Sequence, residues 1–172
     1  SQSWTVECPS DLNKLEYKSL VDDKAWAIGA NAEVSPDEQD SVEYYPWFES
    51  TSGRYIVLPP ILSPQLNNTR QTAIYFPPSY RENTLKPMTN VLLMHDGENV
   101  FNDSTAFGGR GWRAAPTLDQ EIVAGRIREL VVVAVDNTAA RIDEYTYIAD
   151  PQYGGGDADA YLDWLRSEEH TS

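Results

Sequence analysis

Hydrophobic runs in this chain are short and mostly extended. Between residues 12 and 34, KLEYKSLV and AWAIGANAEV flank the polar triplet Asp22-Asp23-Lys24, which predicts two short strands around a turn. The polar loop SPDEQDS follows. Next comes the aromatic stretch YYPWFESTSGRY, broken by Pro46 and Gly53 and without helical period. From about residue 56 the texture changes. Gln71 to Phe76 is a β-prone run closed by Pro77-Pro78, and Val91 to Met94 is apolar throughout, as expected of a strand buried on both faces. Thr117 and Gln120 have the spacing of a capping box, ahead of a helical face of Leu118, Ile122 and Val123 that Gly125 ends. Leu130 to Val135 reads as the strongest strand. Ala158, Tyr161, Leu162 and Leu165 recur at helical spacing behind the acidic Asp157 and Asp159.

The order strand, strand, helix, strand, helix predicts an α/β domain over residues 56–165, with a mostly parallel sheet and helices on both faces. Residues 1–50 read as a short all-β segment and a connector. Two central strands run into polar clusters, His95-Asp96-Gly97-Glu98 and Asp136-Asn137. The carboxyl ends of neighbouring parallel strands lie along one edge, so the two clusters are expected to share a crevice.

Charge narrows the partners. The 172 residues carry a formal net charge of -14, which argues against nucleic acid and anionic membrane surfaces. Cys8 is the one cysteine, so neither an internal disulfide nor a cysteine-based zinc site can form within these residues. No apolar stretch approaches the ~20 residues that span a bilayer. The start, Ser1, shows no signal-peptide pattern, and localisation stays open; Asn67-Asn68-Thr69 and Asn102-Asp103-Ser104 are sequons compatible with secretion. The tail RSEEHTS, residues 166–172, resembles a sequencing-library adapter translated codon for codon. Native sequence is then expected to stop near Leu165, leaving His170 without biological meaning and the chain a fragment.

Three chemistries fit polar strand ends. Nucleotide binding needs a glycine fingerprint or a phosphate loop between strand and helix, and Gly108-Gly109-Arg110-Gly111 and Gly154-Gly155-Gly156 match neither. Asp96, Glu98, Asn102 and Asp103 are hard oxygen donors, but their spacing is not that of an EF-hand, so no metal and no cofactor is expected. Acyl transfer needs a backbone N–H aimed at an oxyanion, and a glycine-hinged turn after a buried strand meets that need.

TRQTAIYFPPSY, VLLMHDGENVFND, Trp112, VVVAVDNTAARIDEYTY and GGGDADAYLDWL resemble the first half of the enterochelin-esterase-like family of α/β-hydrolases, over residues 70 to 165. The resemblance implies a carboxylic-ester hydrolase acting on a small-molecule ester. It implies an oxyanion loop at Asp96, Gly97 and Glu98, and places Arg141, Glu144 and Tyr145 near the mouth of the site, with His95 beside them. Residues 15–34 more weakly resemble the closing strands of a starch-binding-type module, through Lys18, Trp26, Gly29 and Asn31. That likeness makes Trp26 a candidate for stacking on a glycan. The chain departs from the family in lacking any Gly-x-Ser-x-Gly elbow, and His95 precedes the place where the elbow belongs. The nucleophile, acid and base are expected in a missing half, and the chain as written is expected to be inactive. The alternative is a non-catalytic carbohydrate-binding or interaction protein on a hydrolase-like scaffold.

Overall fold

The computed structural model describes residues 13–35 and 43–169. Cys8, most of the SPDEQDS loop and His170 lie outside the described residues. In the front segment, β1 (Leu15–Tyr17) pairs antiparallel with β4 (Ala32–Val34), and β2 (Leu20–Val21) with β3 (Ala25–Trp26). Each expected strand is thus broken in two. The turn falls where the polar triplet placed it: Asp22 and Asp23 both take φ 51°, and the Lys24 N–H donates to the Val21 carbonyl at 3.0 Å. Aspartate tolerates this left-handed turn better than most side chains. Trp47 lies over Gly29, where a Cβ would come within 2.5 Å of its ring.

The main sheet has the order β5-β8-β10-β9. Its strands are β5 (Arg54–Val57), β8 (Thr72–Phe76), β9 (Val91–His95) and β10 (Val131–Val135); β6 (Ile61–Ser63) and β7 (Asn68–Arg70) form a separate hairpin. The expectation of a mostly parallel sheet is corrected. β5–β8 and β8–β10 are antiparallel, and β10–β9 alone is parallel, because a helical crossover joins that pair of the four strands.

Helices cover both faces. On one, Ala73, Ala134 and Val100 pack with Ala114 of α1 (Ala114–Val123), and the Tyr75 hydroxyl donates to Asp119 of that helix at 2.7 Å. On the other, Val135 packs with Tyr161, Trp164 and Leu165 of α3 (Ala158–Glu169). The strand β10 is buried as its sequence foretells, but β9 is not. Val91, Leu92 and Leu93 are 62%, 43% and 39% exposed. Within the described residues β9 is an edge strand hydrogen-bonded to β10 alone, so its apolar side chains are covered less than those of a central strand. The capping box is also corrected. Helix α1 begins at Ala114, which puts Thr117 inside its first turn, where its hydroxyl donates to the Arg113 carbonyl at 3.0 Å. Gly125, at φ +69°, does end the helix.

Candidate active-site cleft

The turn after β9 is built by backbone geometry. Asp96 is left-handed (φ 55°, ψ 47°), and Gly97 opens a single 3-10 turn, Gly97–Asn99. A Cβ on Gly97 would fall 2.7 Å from Val135 C, 2.8 Å from Ala134 C and 2.8 Å from Asp136 N. Glycine is required because the loop lies directly on the backbone of β10. The N–H groups of Asn99 and Val100 donate back to the Asp96 and Gly97 carbonyls at 2.9 and 3.0 Å, which fixes the turn.

The loop after β10 holds this turn from the side. Arg141, at the start of α2 (Arg141–Tyr145), grips Asp96 with two parallel bonds, Nε to Oδ1 and Nη2 to Oδ2, both 2.8 Å. Asn137 Nδ2 donates to Asp96 Oδ1 at 2.8 Å and to Glu98 Oε1 at 2.6 Å, while its backbone N–H reaches Glu98 Oε2 at 3.2 Å. The guanidinium holds the Asp96 carboxyl down at about 2. Next to it Asp136 is pushed up to about 6, by burial first and then by the charge of Glu98. Asp96, Glu98, Asn99, Asn137 and Arg141 line an open cleft of about 400 Å³ whose rim carries Thr105 and the exposed Phe107. Thr105 Oγ1 donates to the Glu98 carbonyl at 2.7 Å, and the Phe107 N–H to Asn99 Oδ1 at 2.7 Å, so the rim is tied to the turn.

The structure brings Asp96, Gly97, Glu98 and Arg141 together and sends their sequence companions elsewhere. His95 points away from the cleft: its Nδ1 and the Tyr161 hydroxyl are hydrogen-bonded at 2.8 Å, and its ring packs on those of Tyr145 and Tyr161. Glu144 is corrected from a pocket residue to a core residue. It is 1% exposed and paired with Arg70 Nη2 at 2.7 Å, with Asn68 Nδ2 donating to the same oxygen at 2.7 Å. Tyr145 packs between His95 and Tyr161 behind the cleft, not in its lining. Trp26 is 61% exposed on the front hairpin. The oxygen donors considered for a cation are engaged otherwise: Asp103 accepts from the Gly111 N–H at 2.8 Å, and Asn102 from Ser104. Among the described residues no three acidic, His or Cys side chains gather to hold a metal. Sequence reasoning placed Asn137 in the shared crevice without giving it a role, and passed over Asn99, Thr105 and Phe107. The signal for Asn137 was its place directly after a strand-ending acid, opposite the HDG turn.

No family model and no curated protein matches the chain. Among solved structures, it resembles an IroE-like serine hydrolase from Shewanella oneidensis, at 24% identity and TM-score 0.50, covering 66% of this chain and 35% of that one. A ferulic acid esterase aligns at 20% identity and TM-score 0.44, over 69% of this chain and 44% of that one. The BES protein from Bacillus cereus aligns at 15% identity and TM-score 0.47, over 77% and 48%. The chain thus spans less than half the length of each. Sheet, covering helices and the likeness to the first of these structures agree on the fold: the described residues form a mixed sheet covered by helices, as part of that structure does.

Proposed function

We propose that this chain is the front part of a serine esterase acting on carboxylic esters of small molecules. The observation that carries the reading is the packing of Gly97 onto the end of β10, with Asp96 pinned by Arg141 and Asn137. Such a turn holds its backbone rigidly at the mouth of a cleft. There an N–H of the Gly97–Glu98 turn faces the oxygen on which negative charge develops when a serine attacks an ester carbonyl. Preorganised donors of this kind lower the barrier because nothing has to reorient as the charge appears. The nucleophile, acid and base come from sequence other than these residues: no Gly-x-Ser-x-Gly occurs here, and His95 is committed to Tyr161. The 172-residue chain alone is therefore inactive.

Two measurements test this. The chain is expected to take no label from a fluorophosphonate probe and to release no nitrophenol from p-nitrophenyl acetate. The genomic locus, read past the codon for Leu165, is expected to continue into a Gly-x-Ser-x-Gly elbow and then an Asp and a His. A genomic stop directly after RSEEHTS would overturn the esterase reading. The second reading, glycan binding by the front hairpin, is favoured by the exposure of Trp26, a large ring left in solvent. Unchanged glycan retention by Trp26→Ala would sink it.

A further inference from the structure

A second groove lies at the opposite end of the sheet from the cleft. Strand β8 runs antiparallel to β10, so Thr72 faces Val135 beside the cleft, whereas Phe76 leaves the sheet at the far end, paired with Arg54 of β5. The groove there is about 380 Å³. Its walls are the connector, from Glu49 through Arg54, and the segment from Pro77 to Glu82.

The groove is firmly built. Gly53 lets the connector lie flat on the sheet, since a Cβ there would meet the Phe76 carbonyl oxygen at 2.4 Å. The Gly53 N–H donates to Asp119 Oδ1 at 2.7 Å. Glu82 clamps the opposite wall to the connector, accepting from the Phe48 N–H at 2.9 Å and the Glu49 N–H at 2.8 Å. The Arg54 guanidinium lies over the Phe76 ring at 5.4 Å, and Tyr80 packs on that ring at 4.4 Å.

Its lining holds two arginines and two glutamates, so it lacks the acidic excess of the chain as a whole. Acidic residues outnumber Lys and Arg by 27 to 13. Yet Arg54 and Arg81 line this one groove, and among the described residues neither has a carboxylate partner. Of the acids nearby, Glu82 and Asp119 are taken up by backbone N–H groups, and the exposed Glu49 remains at the rim.

We propose that this groove binds an acidic saccharide, with Arg54 and Arg81 taking a uronate carboxylate and Tyr80 packing against the sugar ring. Guanidinium forks match a planar carboxylate through two parallel bonds, and the ring stack already orders Arg54 for that contact. The half-exposed Tyr80 ring supplies an apolar face with a polar edge, which suits a pyranose. Ser52 adds a hydroxyl group along the same wall, while the Ser50 hydroxyl donates to the Ser52 carbonyl at 2.8 Å and shapes it. This site is separate from the ester cleft, so its failure would leave the esterase reading untouched.

The test is calorimetric titration of the full 172-residue chain with trigalacturonate, maltotriose and triglutamate. Trigalacturonate is expected to bind, more weakly at high salt, and Arg54→Gln or Arg81→Gln to lower its affinity about tenfold or more. Tyr80→Ala is expected to weaken trigalacturonate as well. Arg128→Gln, at an exposed arginine outside the groove, is expected to change nothing. Absence of trigalacturonate binding overturns the proposal, as does equal binding of maltotriose or an affinity indifferent to both arginine substitutions. Triglutamate binding as tightly as trigalacturonate would show that the groove reads carboxylate on a peptide and not a sugar.

Discussion

Two ion pairs leave the short helix α2 in opposite directions. Arg141, its first residue, reaches out to Asp96 at the cleft, with side chains 45% and 17% exposed. Glu144, three residues on, turns inward to Arg70, with side chains 1% and 0% exposed. The inner pair is roofed by aromatics: the Arg70 guanidinium lies 5.0 Å from the Tyr161 ring and 4.7 Å from that of Trp164. The outer pair opens onto solvent and the cleft. Similar chemistry at neighbouring positions therefore serves two ends, one fixing the helix to the core and the other fixing a loop at a site.

Removing a partner from each pair should separate them most clearly. Glu144→Ala leaves the Arg70 charge buried without compensation and is expected to cost about 3–5 kcal/mol in urea unfolding. A loss no larger than that of a surface pair would break the contrast. Replacing both, as Arg70→Met with Glu144→Leu, is expected to cost less than the single change, because no orphaned charge remains.

Asp136 sharpens the cleft side. Its folded pKa of about 6 lies above an unfolded value of about 3.9. Its contribution to stability is therefore complete below pH ~4 and is lost as the pH rises through about 6. Asp136→Asn is expected to flatten the stability profile across that window and to be the more stable protein at neutral pH. An unaltered slope in urea melts would show that the carboxyl titrates normally.

The smallest effect is expected at Arg141. Exposed as it is, Arg141→Ala should cost about 1 kcal/mol or less at neutral pH. Asp96 is depressed to about 2, so its contribution is present above pH ~4 and disappears as the pH falls through about 2. Loss of Arg141 should move the Asp96 carboxyl titration upward in carbon-detected NMR. A titration that stays put would mean that Asn137 and Tyr145 hold it without the arginine.

Much of the framework was legible because burial leaves a period in the sequence. LVVVAV, the α3 stripe and the Asp22-Asp23 turn are written in apolar spacing and turn chemistry. The exposure of β9 was not, because an apolar run reads the same whether or not a neighbouring strand covers it. The direction of β8 was equally hidden, since strand polarity depends on pairing partners far along the chain. At the site, HDG stood out by its glycine. The division between Arg141 and Glu144 did not, because which side of a five-residue helix faces the core is settled by Arg70, some seventy positions away.

The contact beneath Gly97 has one more consequence. It joins main chain to main chain, so the identities of the neighbouring side chains hardly enter it. What it measures is alignment: the gap receives the loop when His95 stands opposite Val135. A slip of one residue between the two parallel strands would bring a carbonyl or a side chain where the hydrogen of Gly97 now fits. The turn thus acts as a gauge on the sheet, seating the loop in one register and rejecting the others.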